Sequence, residues 1–257
     1  MSERSPLRVL GVIPARLQST RLPRKVLREI VGKPLLVHVW EAARRAPDLD
    51  DLLVATDSPE VVSTCTRFGI PAVMTSSDHP SGTDRIWEVA QTHAADVYVN
   101  IQGDEPLTTP SHIRLLVAPF RERPDTQVST LRIRLLPDEM DNPNVNKVVC
   151  GVDGRALYFS KYPVPYDRDG IGVVRWKHPG FYAYRKAALD AFHRLAPSPL
   201  ELTEKLEQLR FLENGIAIVA TETTEPTVGV DTEADLRAVE SLLSAREASK
   251  GGRATLR

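Results

Sequence analysis

The sequence predicts an α/β fold in which a mostly parallel sheet carries an inserted antiparallel portion. Up to about residue 125, short apolar β-branched runs alternate with longer segments of helical period. Strands that are apolar nearly throughout are typical of a parallel sheet that helices cover on both faces. From about residue 125 to 190, strand-like runs follow one another, which favours antiparallel pairing. No repeat or low-complexity linker divides the chain, so we expect one domain over residues 1–257.

The elements of the parallel portion follow from their patterns. Continuous apolar runs of strand length predict strands over 7–14, 52–57, 71–76 and 96–102. Helical periodicity predicts helices over 34–46, after residue 58, over 82–93 and over 110–123. Ser58 suits the N-cap of the second helix, because Pro59 then takes the first helical position.

The remaining elements are predicted in the same way. Strands are expected over 127–135, over 147–161 with a hairpin turn at Asp153-Gly154, over 181–185 and over 216–221. A helix over 200–213 would end at Asn214-Gly215, and Thr232 would cap a final helix. The tail from about Ser249 is expected to be disordered.

Composition excludes several classes of protein. The chain carries 33 Lys and Arg against 34 Asp and Glu, so a nucleic-acid partner is not expected. Its 42% hydrophobic and 26% charged residues exclude a disordered chain or a fibre. Two cysteines, Cys65 and Cys150, are too few for a disulfide framework and suit a reducing compartment. No run approaches the roughly 20 apolar residues of a membrane span, so we expect a soluble cytoplasmic protein.

A basic stretch follows the first predicted strand. Four cations and two hydroxyls lie between residues 14 and 25, at the strand end where open α/β sheets bind ligands. Arg forks and a Lys charge suit a triphosphate, although a solvated basic loop is the alternative. The Walker A and G-x-G-x-x-G patterns are absent.

Two acidic positions could hold Mg²⁺ against phosphates. Asp104 directly follows the strand predicted over 96–102, and Asp231 lies in a loop before the last helix. Carboxylates from distant segments suit a cation site at one sheet edge. The alternatives are an ordinary turn at residues 103–106 and a helix cap at Asp231 or Thr232.

Other features carry less information. Ser81 to Arg85 could present backbone N–H groups to an anion at a helix N-terminus, although hydroxyl caps are common. His178, Tyr182, Glu207 and Gln208 are polar positions that structural roles would also explain. The His and Cys residues lack zinc-ligand spacing, and no G-x-S-x-G elbow is present.

Together these stretches resemble the 3-deoxy-manno-octulosonate cytidylyltransferases, also called CMP-Kdo synthetases. The pieces appear in order from about residue 8 to 240: IPARLQSTRLPRKVL (13–27), VATD (54–57), DHPSGTDRI (78–86), VNIQGDEP (99–106), NPNVNKVV (142–149), ALYFSK (156–161), HPGFYAYR (178–185), TEKLEQLR (203–210) and VGVDTEADL (228–236). The resemblance implies a Rossmann-like, GT-A-like nucleotidyltransferase fold whose antiparallel portion, at about 125–190, forms a homodimer. It also implies the reaction of CTP with 3-deoxy-D-manno-octulosonate (Kdo) to give CMP-Kdo and diphosphate, with Mg²⁺, for lipopolysaccharide biosynthesis.

The resemblance also implies site residues, carried over position by position. For CTP they are Arg16, Ser19, Arg21, Lys25, Ser81, Gly82 and Thr83. For Mg²⁺ and catalysis they are Asp104 and Asp231, with Lys25 as a further catalytic residue. For the sugar acid they are Gln102, Lys161, His178, Tyr182, Glu207 and Gln208.

Two positions depart from the family pattern. Arg24 stands where the family usually has Gly, and Lys161 stands where it usually has Arg. A Lys lacks the bidentate grip of Arg on a carboxylate, so the departure at Lys161 bears on the choice of sugar. The alternatives are therefore a cytidylyltransferase for another acidic sugar, such as an amino-Kdo or a sialic-acid relative, and a CTP-binding sensor without turnover.

Overall fold

The parallel half of the sheet is built from short apolar strands that helices connect. The structure is a computed structural model that describes residues 7–19 and 21–254, with side chains to residue 245. In chain order, its first ten elements are β1 (Val9–Pro14), β2 (Glu29–Ile30), β3 (Lys33–Pro34), α1 (Leu35–Ala43), β4 (Asp51–Thr56), α2 (Pro59–Arg67), β5 (Ala72–Met74), α3 (Gly82–Thr92), β6 (Val97–Asn100) and α4 (Pro110–Glu122). The strands β5, β4, β1 and β6 lie in that spatial order, and all three of their pairings are parallel.

The alternation of side chains along β1 explains why this sheet is covered on both faces. Val9 and Ile13 pack into one hydrophobic cluster with residues of α1, α2 and α4. Leu10 and Val12 point the other way, into a second cluster that contains Ile86 of α3. Successive side chains of a strand face opposite sides, so a strand without polar positions needs an apolar layer on each side. This arrangement confirms the predicted α/β class.

The second half of the chain extends the sheet with antiparallel strands. Its ten elements are β7 (Val128–Arg134), β8 (Lys147–Cys150), β9 (Ala156–Ser160), β10 (Trp176–Lys177), β11 (Tyr182–Tyr184), α5 (Lys186–Arg194), α6 (Pro199–Glu204), α7 (Leu209–Glu213), β12 (Ile218–Glu222) and α8 (Glu233–Ala254). Strand β11 lies between β6 and β7 and is antiparallel to both. Strands β10, β8 and β9 continue from β7 in antiparallel pairs, whereas β12 is parallel to β7. The predicted antiparallel portion is therefore the continuation of one sheet.

The hairpin predicted at Asp153-Gly154 joins β8 to β9. Gly154 has φ +81°, and the amide of Gly151 donates to the carbonyl of Arg155 at 2.8 Å. A second, unpredicted hairpin joins β2 to β3 through Val31 and Gly32, both with positive φ. Its strands have two residues each, which is too short for a periodicity signal.

The helix predicted over 200–213 is instead two short helices. The chain leaves α6 at Lys205, which has a left-handed backbone at φ 55°, and α7 begins at Leu209. Arg210 folds back across the break, where its Nε lies 2.7 Å from a carboxylate oxygen of Glu201. This buried pair holds the break closed. The intervening residues Glu207 and Gln208 are therefore outside a helix.

The last helix begins as predicted and continues further. Thr232 caps α8 by accepting from the amide of Asp235 at 3.2 Å, and the Asp235 carboxylate accepts from the amide of Thr232 at 2.8 Å. The backbone stays helical to Ala254, past the start of the disordered tail expected from Ser249, because each added turn gains a hydrogen bond once a helix exists. Residues 255–257 lie outside the described part. Within that part, no helix combines the length and apolarity needed to cross a membrane.

Candidate active site

The carboxyl ends of β1 and β6 form one edge at which three distant segments meet. The loop after β6 approaches β1 so closely that a Cβ on Gly103 would lie 2.8 Å from the carbonyl oxygen of Pro14. Only glycine fits there, because backbone atoms cannot move aside as a side-chain tip can. A backbone hydrogen bond of 2.9 Å from the amide of Val230 to the carbonyl of Asp104 then ties the loop before α8 to the same edge.

Two carboxylates face one ammonium group at this edge. The Nζ of Lys25 lies 2.5 Å from Oδ2 of Asp104 and 3.0 Å from Oδ1 of Asp231. Arg21 approaches the other oxygen of Asp231 at 3.0 Å. The Lys25 side chain is only 12% exposed. The sequence therefore brings together its two predicted acidic residues and two cations of its basic stretch.

The helix-cap alternative for Asp231 is wrong. The capping hydroxyl of α8 belongs to Thr232, and the capping carboxylate is that of Asp235. Asp231 accepts its hydrogen bond from Lys25 instead. Its carboxylate is consequently available to a cation at the sheet edge.

The charge balance of this cluster explains two pKa shifts. Burial would lower the pKa of Lys25, but the charges and hydrogen bonds of Asp104 and Asp231 outweigh it, so the pKa is raised and the group stays an ammonium. At Glu105, burial and the neighbouring carboxylates act in the same direction. Burial first, and then the neighbouring charges of Asp104 and Asp231, raise its pKa to about 8.

Glu105 is a site residue that the sequence reasoning missed. It is 7% exposed, and a Cβ on Gly229 would lie 3.0 Å from its Oε1. Its Oε2 has no hydrogen-bond partner among the residues described. Glu-Pro reads as turn chemistry, so only its place beside Asp104 could have singled it out.

The donor set suits a magnesium ion that substrate phosphates help to bind. Among residues 7–19 and 21–254, no group of three or more His, Cys, Asp or Glu side chains forms a metal-binding cluster. Mg²⁺ is typically bound through one or two carboxylates, with phosphates and water supplying its other oxygens. Asp104 and Asp231, which already share one cation, fit that requirement.

A cavity of about 360 Å³ adjoins the carboxylates. Most of the predicted CTP residues line it, namely Arg16, Ser19, Arg21, Lys25 and Gly82. A neighbouring cavity of about 860 Å³ shares Arg16 and Ser19 and reaches Asp57 at the end of β4. Burial, and then the charge of Arg85, lower the pKa of Arg16, which donates to the carbonyl of His79 at 2.7 Å. The basic stretch is thus held over the sheet edge.

The three predicted CTP residues at the start of α3 have different surroundings. Gly82 lines the smaller cavity, whereas Ser81 caps the helix by accepting from the amide of Asp84 at 3.1 Å. Thr83 has no exposed surface, and its hydroxyl donates to Oε1 of Glu207 at 2.7 Å. Thr83 is therefore buried against Glu207, and it is not among the residues that line the two cavities.

Most of the predicted sugar-acid residues surround β11. His178 and Tyr182 are buried, with ring centroids 5.1 Å apart. Gln102 donates to the carbonyl of Gly180 at 3.2 Å, just before β11. Gln208 is buried within the break between α6 and α7.

Several polar atoms of this group lack a partner. Within the described residues, Nδ1 of His178, Oη of Tyr182 and Nε2 of Gln208 are buried without a hydrogen bond. Such atoms are costly unless a ligand or water satisfies them. Burial lowers the pKa of His178 to about 3, so the imidazole offers a neutral donor or acceptor and carries no charge at neutral pH. These atoms suit the hydroxyl groups of a polar ligand.

Lys161 does not join this group. It follows β9 with an exposed side chain, and its backbone amide donates to Glu204 at 3.0 Å. No hydrogen bond or ion pair involves its ammonium among the residues that the structure describes.

A buried ion pair behind the basic stretch was also missed. Arg85 of α3 is fully buried, with Nη2 3.1 Å from the Asp57 carboxylate at the end of β4. In the sequence both residues lie within the stretches that carry the resemblance, and no spacing rule joins them. The pair fixes the wall of the larger cavity.

Relatives place this geometry in a known group. The chain matches the family model described as cytidylyltransferase over residues 10–218. It is 57% identical to the 3-deoxy-manno-octulosonate cytidylyltransferase of Acidobacterium capsulatum over 244 residues, which cover 95% of this chain and 99% of that relative. The chain belongs to the 3-deoxy-manno-octulosonate cytidylyltransferase family. The protein of the same name from Koribacter versatilis is 54% identical, over 95% of this chain and 93% of the relative.

Solved structures agree with membership of this cytidylyltransferase family. A structure of CMP:2-keto-3-deoxy-manno-octonic acid synthetase complexed with CTP matches with a TM-score of 0.90 at 42% identity, covering 93% of this chain and 99% of that one. A cytidylyltransferase from Leptospira borgpetersenii matches with a TM-score of 0.62 at 16% identity, covering 93% and 87%, and shows the fold alone. The resemblance drawn from the sequence is confirmed, and the chain is a nucleotidyltransferase.

Proposed function

We propose that this protein transfers CMP from CTP to Kdo, which gives CMP-Kdo and diphosphate. The proposal rests on the contacts of Asp104 and Asp231 with the Lys25 ammonium. Next to these contacts, basic residues line a cavity at the carboxyl ends of the strands. Nucleotidyl transfer uses carboxylates and basic side chains together. The carboxylates hold a cation that offsets phosphate charge, and the basic side chains stabilise the leaving diphosphate. The family membership supports the choice of CTP and Kdo.

The nucleotide would bind along the basic stretch. Arg16, Arg21 and Lys25 line the cavity of about 360 Å³ next to the carboxylates, so three cations border one space. Guanidinium forks grip phosphate oxygens in pairs, and Lys25 adds a compact charge. These three residues would stabilise the diphosphate as the bond between the α- and β-phosphates breaks.

Asp104 and Asp231 would hold Mg²⁺ together with phosphate oxygens of CTP. When bound, the ion would offset phosphate charge and lower the pKa of the attacking hydroxyl. Lys25, which pairs with both carboxylates, would supply a further positive charge to the phosphates.

The sugar acid would bind beside β11. Gln102, His178, Tyr182, Glu207 and Gln208 would bind its hydroxyl and carboxylate groups, and three of them carry buried polar atoms without a partner. The anomeric hydroxyl of Kdo would attack the α-phosphorus in line with the departing diphosphate. The bond from the sugar oxygen to the α-phosphorus forms as the bond to the β-phosphate oxygen breaks. The hydroxyl proton passes to water and the electron pair leaves with diphosphate, so no covalent enzyme intermediate is required.

The proposal extends to the use of the product and to the oligomeric state. The CMP-Kdo product would supply lipopolysaccharide biosynthesis in the cytoplasm. We also infer a homodimer through the antiparallel portion, since large apolar side chains there are exposed: Val152, Leu157, Tyr162, Tyr166 and Ile171. Light scattering after size exclusion should give twice the chain mass, and Leu157→Glu should shift it toward the monomer.

The decisive experiment is diphosphate release with CTP, Mg²⁺ and Kdo. We expect turnover that requires all three, with CTP preferred over other nucleoside triphosphates. An amino-Kdo and a sialic acid in parallel reactions test the choice of sugar. Tight CTP binding without diphosphate release from any acidic sugar would contradict the proposal and favour a nucleotide sensor.

A further inference from the structure

Two consecutive hydrogen bonds join a buried phenol of β11 to a residue of the predicted sugar-acid group. The Tyr184 hydroxyl lies 3.3 Å from Oγ1 of Thr83. Thr83 in turn donates to Oε1 of Glu207 at 2.7 Å. This hydrogen-bond chain thus crosses from β11 to the break after α6.

The donors of this chain point in one direction. Thr83 has a single hydroxyl proton, and Glu207 receives it, so the Tyr184 hydroxyl must donate to Thr83. Tyr184 can do so because burial raises the pKa of its phenol, which stays protonated. The hydroxyl protons of Tyr184 and Thr83 are therefore both directed toward Glu207.

This order fixes the chemistry that Glu207 offers to a ligand. With Oε1 accepting from Thr83, the carboxylate behaves as an acceptor. Burial raises the pKa of Glu207, and the Thr83 hydroxyl opposes that shift by bonding to the charged form. Acceptor oxygens recognise hydroxyl groups, which are the main groups of a sugar acid.

We propose that Thr83 is a positioning residue for the sugar substrate: it orients the Glu207 carboxylate as an acceptor for sugar hydroxyls and makes no contact with CTP. The inference rests on the function proposed above. Its basis is the complete burial of Thr83 and the direction of the hydrogen-bond chain. It replaces the CTP-binding role that the sequence suggested for this residue.

The test compares Thr83→Val with Thr83→Ser in diphosphate release. Valine keeps the shape of threonine but cannot donate, so we expect KM for Kdo to rise about tenfold. KM for CTP should stay within about twofold of the wild type, because Thr83 is buried away from the nucleotide. Thr83→Ser keeps the hydroxyl and should restore KM for Kdo to within about twofold.

Each other outcome overturns the inference. A rise in KM for CTP in Thr83→Val would assign the residue to the nucleotide, and unchanged values for both substrates would make its hydroxyl dispensable. A wild-type enzyme that releases no diphosphate from Kdo would overturn the proposed function first, and this inference with it.

Circular dichroism and thermal unfolding show whether Thr83→Val folds. If it does not, Tyr184→Phe is the second variant for the same measurement. It removes the donor to Thr83 and leaves the contact between Thr83 and Glu207 in place. We expect KM for Kdo to rise about two- to fivefold with KM for CTP unchanged. No change in KM for Kdo would again contradict the inference.

Discussion

Lys25 donates to the Asp231 carboxylate at 3.0 Å, although 206 positions separate the two residues in sequence. The same ammonium binds Asp104, 79 positions away, so one side chain marks the point where three distant segments meet. Only the folded sheet edge can form this arrangement. The first prediction tests whether the two carboxylates act there together.

Asp104→Asn and Asp231→Asn should each lower kcat by a factor of a few hundred in a protein that still folds. An amide keeps the shape of the side chain but loses the charge that Mg²⁺ requires, and electrostatic contributions of this kind are worth about 3–4 kcal/mol. The double variant should be little worse than either single one, because both changes break one site. Measuring kcat against Mg²⁺ concentration for all three variants tests this.

Thr232→Ala is the matched control for Asp231→Asn. It removes the cap of α8 next to the carboxylate, so it should cost about 1 kcal/mol of unfolding free energy while kcat is retained. Near-normal turnover of folded Asp231→Asn would contradict the paired metal site.

His178 should make stability depend on pH in the mildly acidic range. In the folded protein its pKa is about 3 because of burial, against 6.5 for an ordinary histidine. As the pH falls below 6.5, only the unfolded chain takes up this proton, so the unfolding free energy decreases. The loss attributable to His178 should be about 2 kcal/mol between pH 7 and pH 5, and the group should have no effect above pH 7.

His178→Gln isolates this effect. Burial lowers the pKa of His112 as well, so the wild type carries more than one such group and only the difference between proteins is informative. Urea unfolding at pH 7 and pH 5 should show a smaller pH-dependent loss for the variant. Equal losses in the two proteins would mean that His178 is accessible to protons.

Arg24 tests the strain of the basic stretch. It has φ 57°, in the left-handed region that glycine adopts without cost, and its guanidinium pairs with the exposed Glu60. Arg24→Gly and Arg24→Ala both remove the ion pair, but only alanine keeps the Cβ. The free energy of unfolding of the glycine variant should therefore be about 1 kcal/mol higher than that of the alanine variant. In a helix the order of the two residues is the reverse. Urea midpoints that rank alanine above glycine would exclude backbone strain here.

Lys161→Arg addresses the choice of sugar. The exposed Lys161 side chain lies apart from the sugar-acid group in this structure, so it would have to turn toward the carboxylate of bound Kdo. A guanidinium fork grips a carboxylate better than an ammonium does, so with that movement KM for Kdo should fall while KM for CTP stays unchanged. Lys186→Arg, which alters a pair with Asp190 four residues along α5, is the control and should change neither value. An unchanged KM for Kdo would assign the exposed Lys161 to the solvated surface, and a changed KM for CTP would place it elsewhere.

The sequence predicted the parallel strands well because Val9 to Ile13 and similar runs are apolar on both faces, which few structures other than a covered strand allow. It placed Asp104 at the carboxyl edge of the sheet, since parallel strands end together, and offered Asp231 as a second carboxylate from the loop before the last helix. It could not separate Thr83 from Ser81 and Gly82. Three consecutive residues at a helix start point in different directions, and only tertiary packing decides which of them is buried.

The break after α6 was beyond sequence reasoning for a related reason. Residues 200–213 have helical periodicity, and what interrupts it is a buried contact between Arg210 and Glu201. Glu105 was missed because its burial depends on Gly229, far along the chain. In both cases the decisive partner is not readable from local pattern.

Asp231 is the last of the clustered charged residues at the sheet edge to be translated, which affects when the cluster can form during protein synthesis. A ribosome releases the basic stretch and Asp104 long before residue 231 emerges, so the growing chain lacks the second carboxylate until almost all of the sheet has been made. Contacts of such sequence separation also form late in folding, because a long loop must close before they gain energy. Incomplete products of translation would therefore carry the basic stretch and Asp104 without Asp231, and we expect them to be unable to consume CTP.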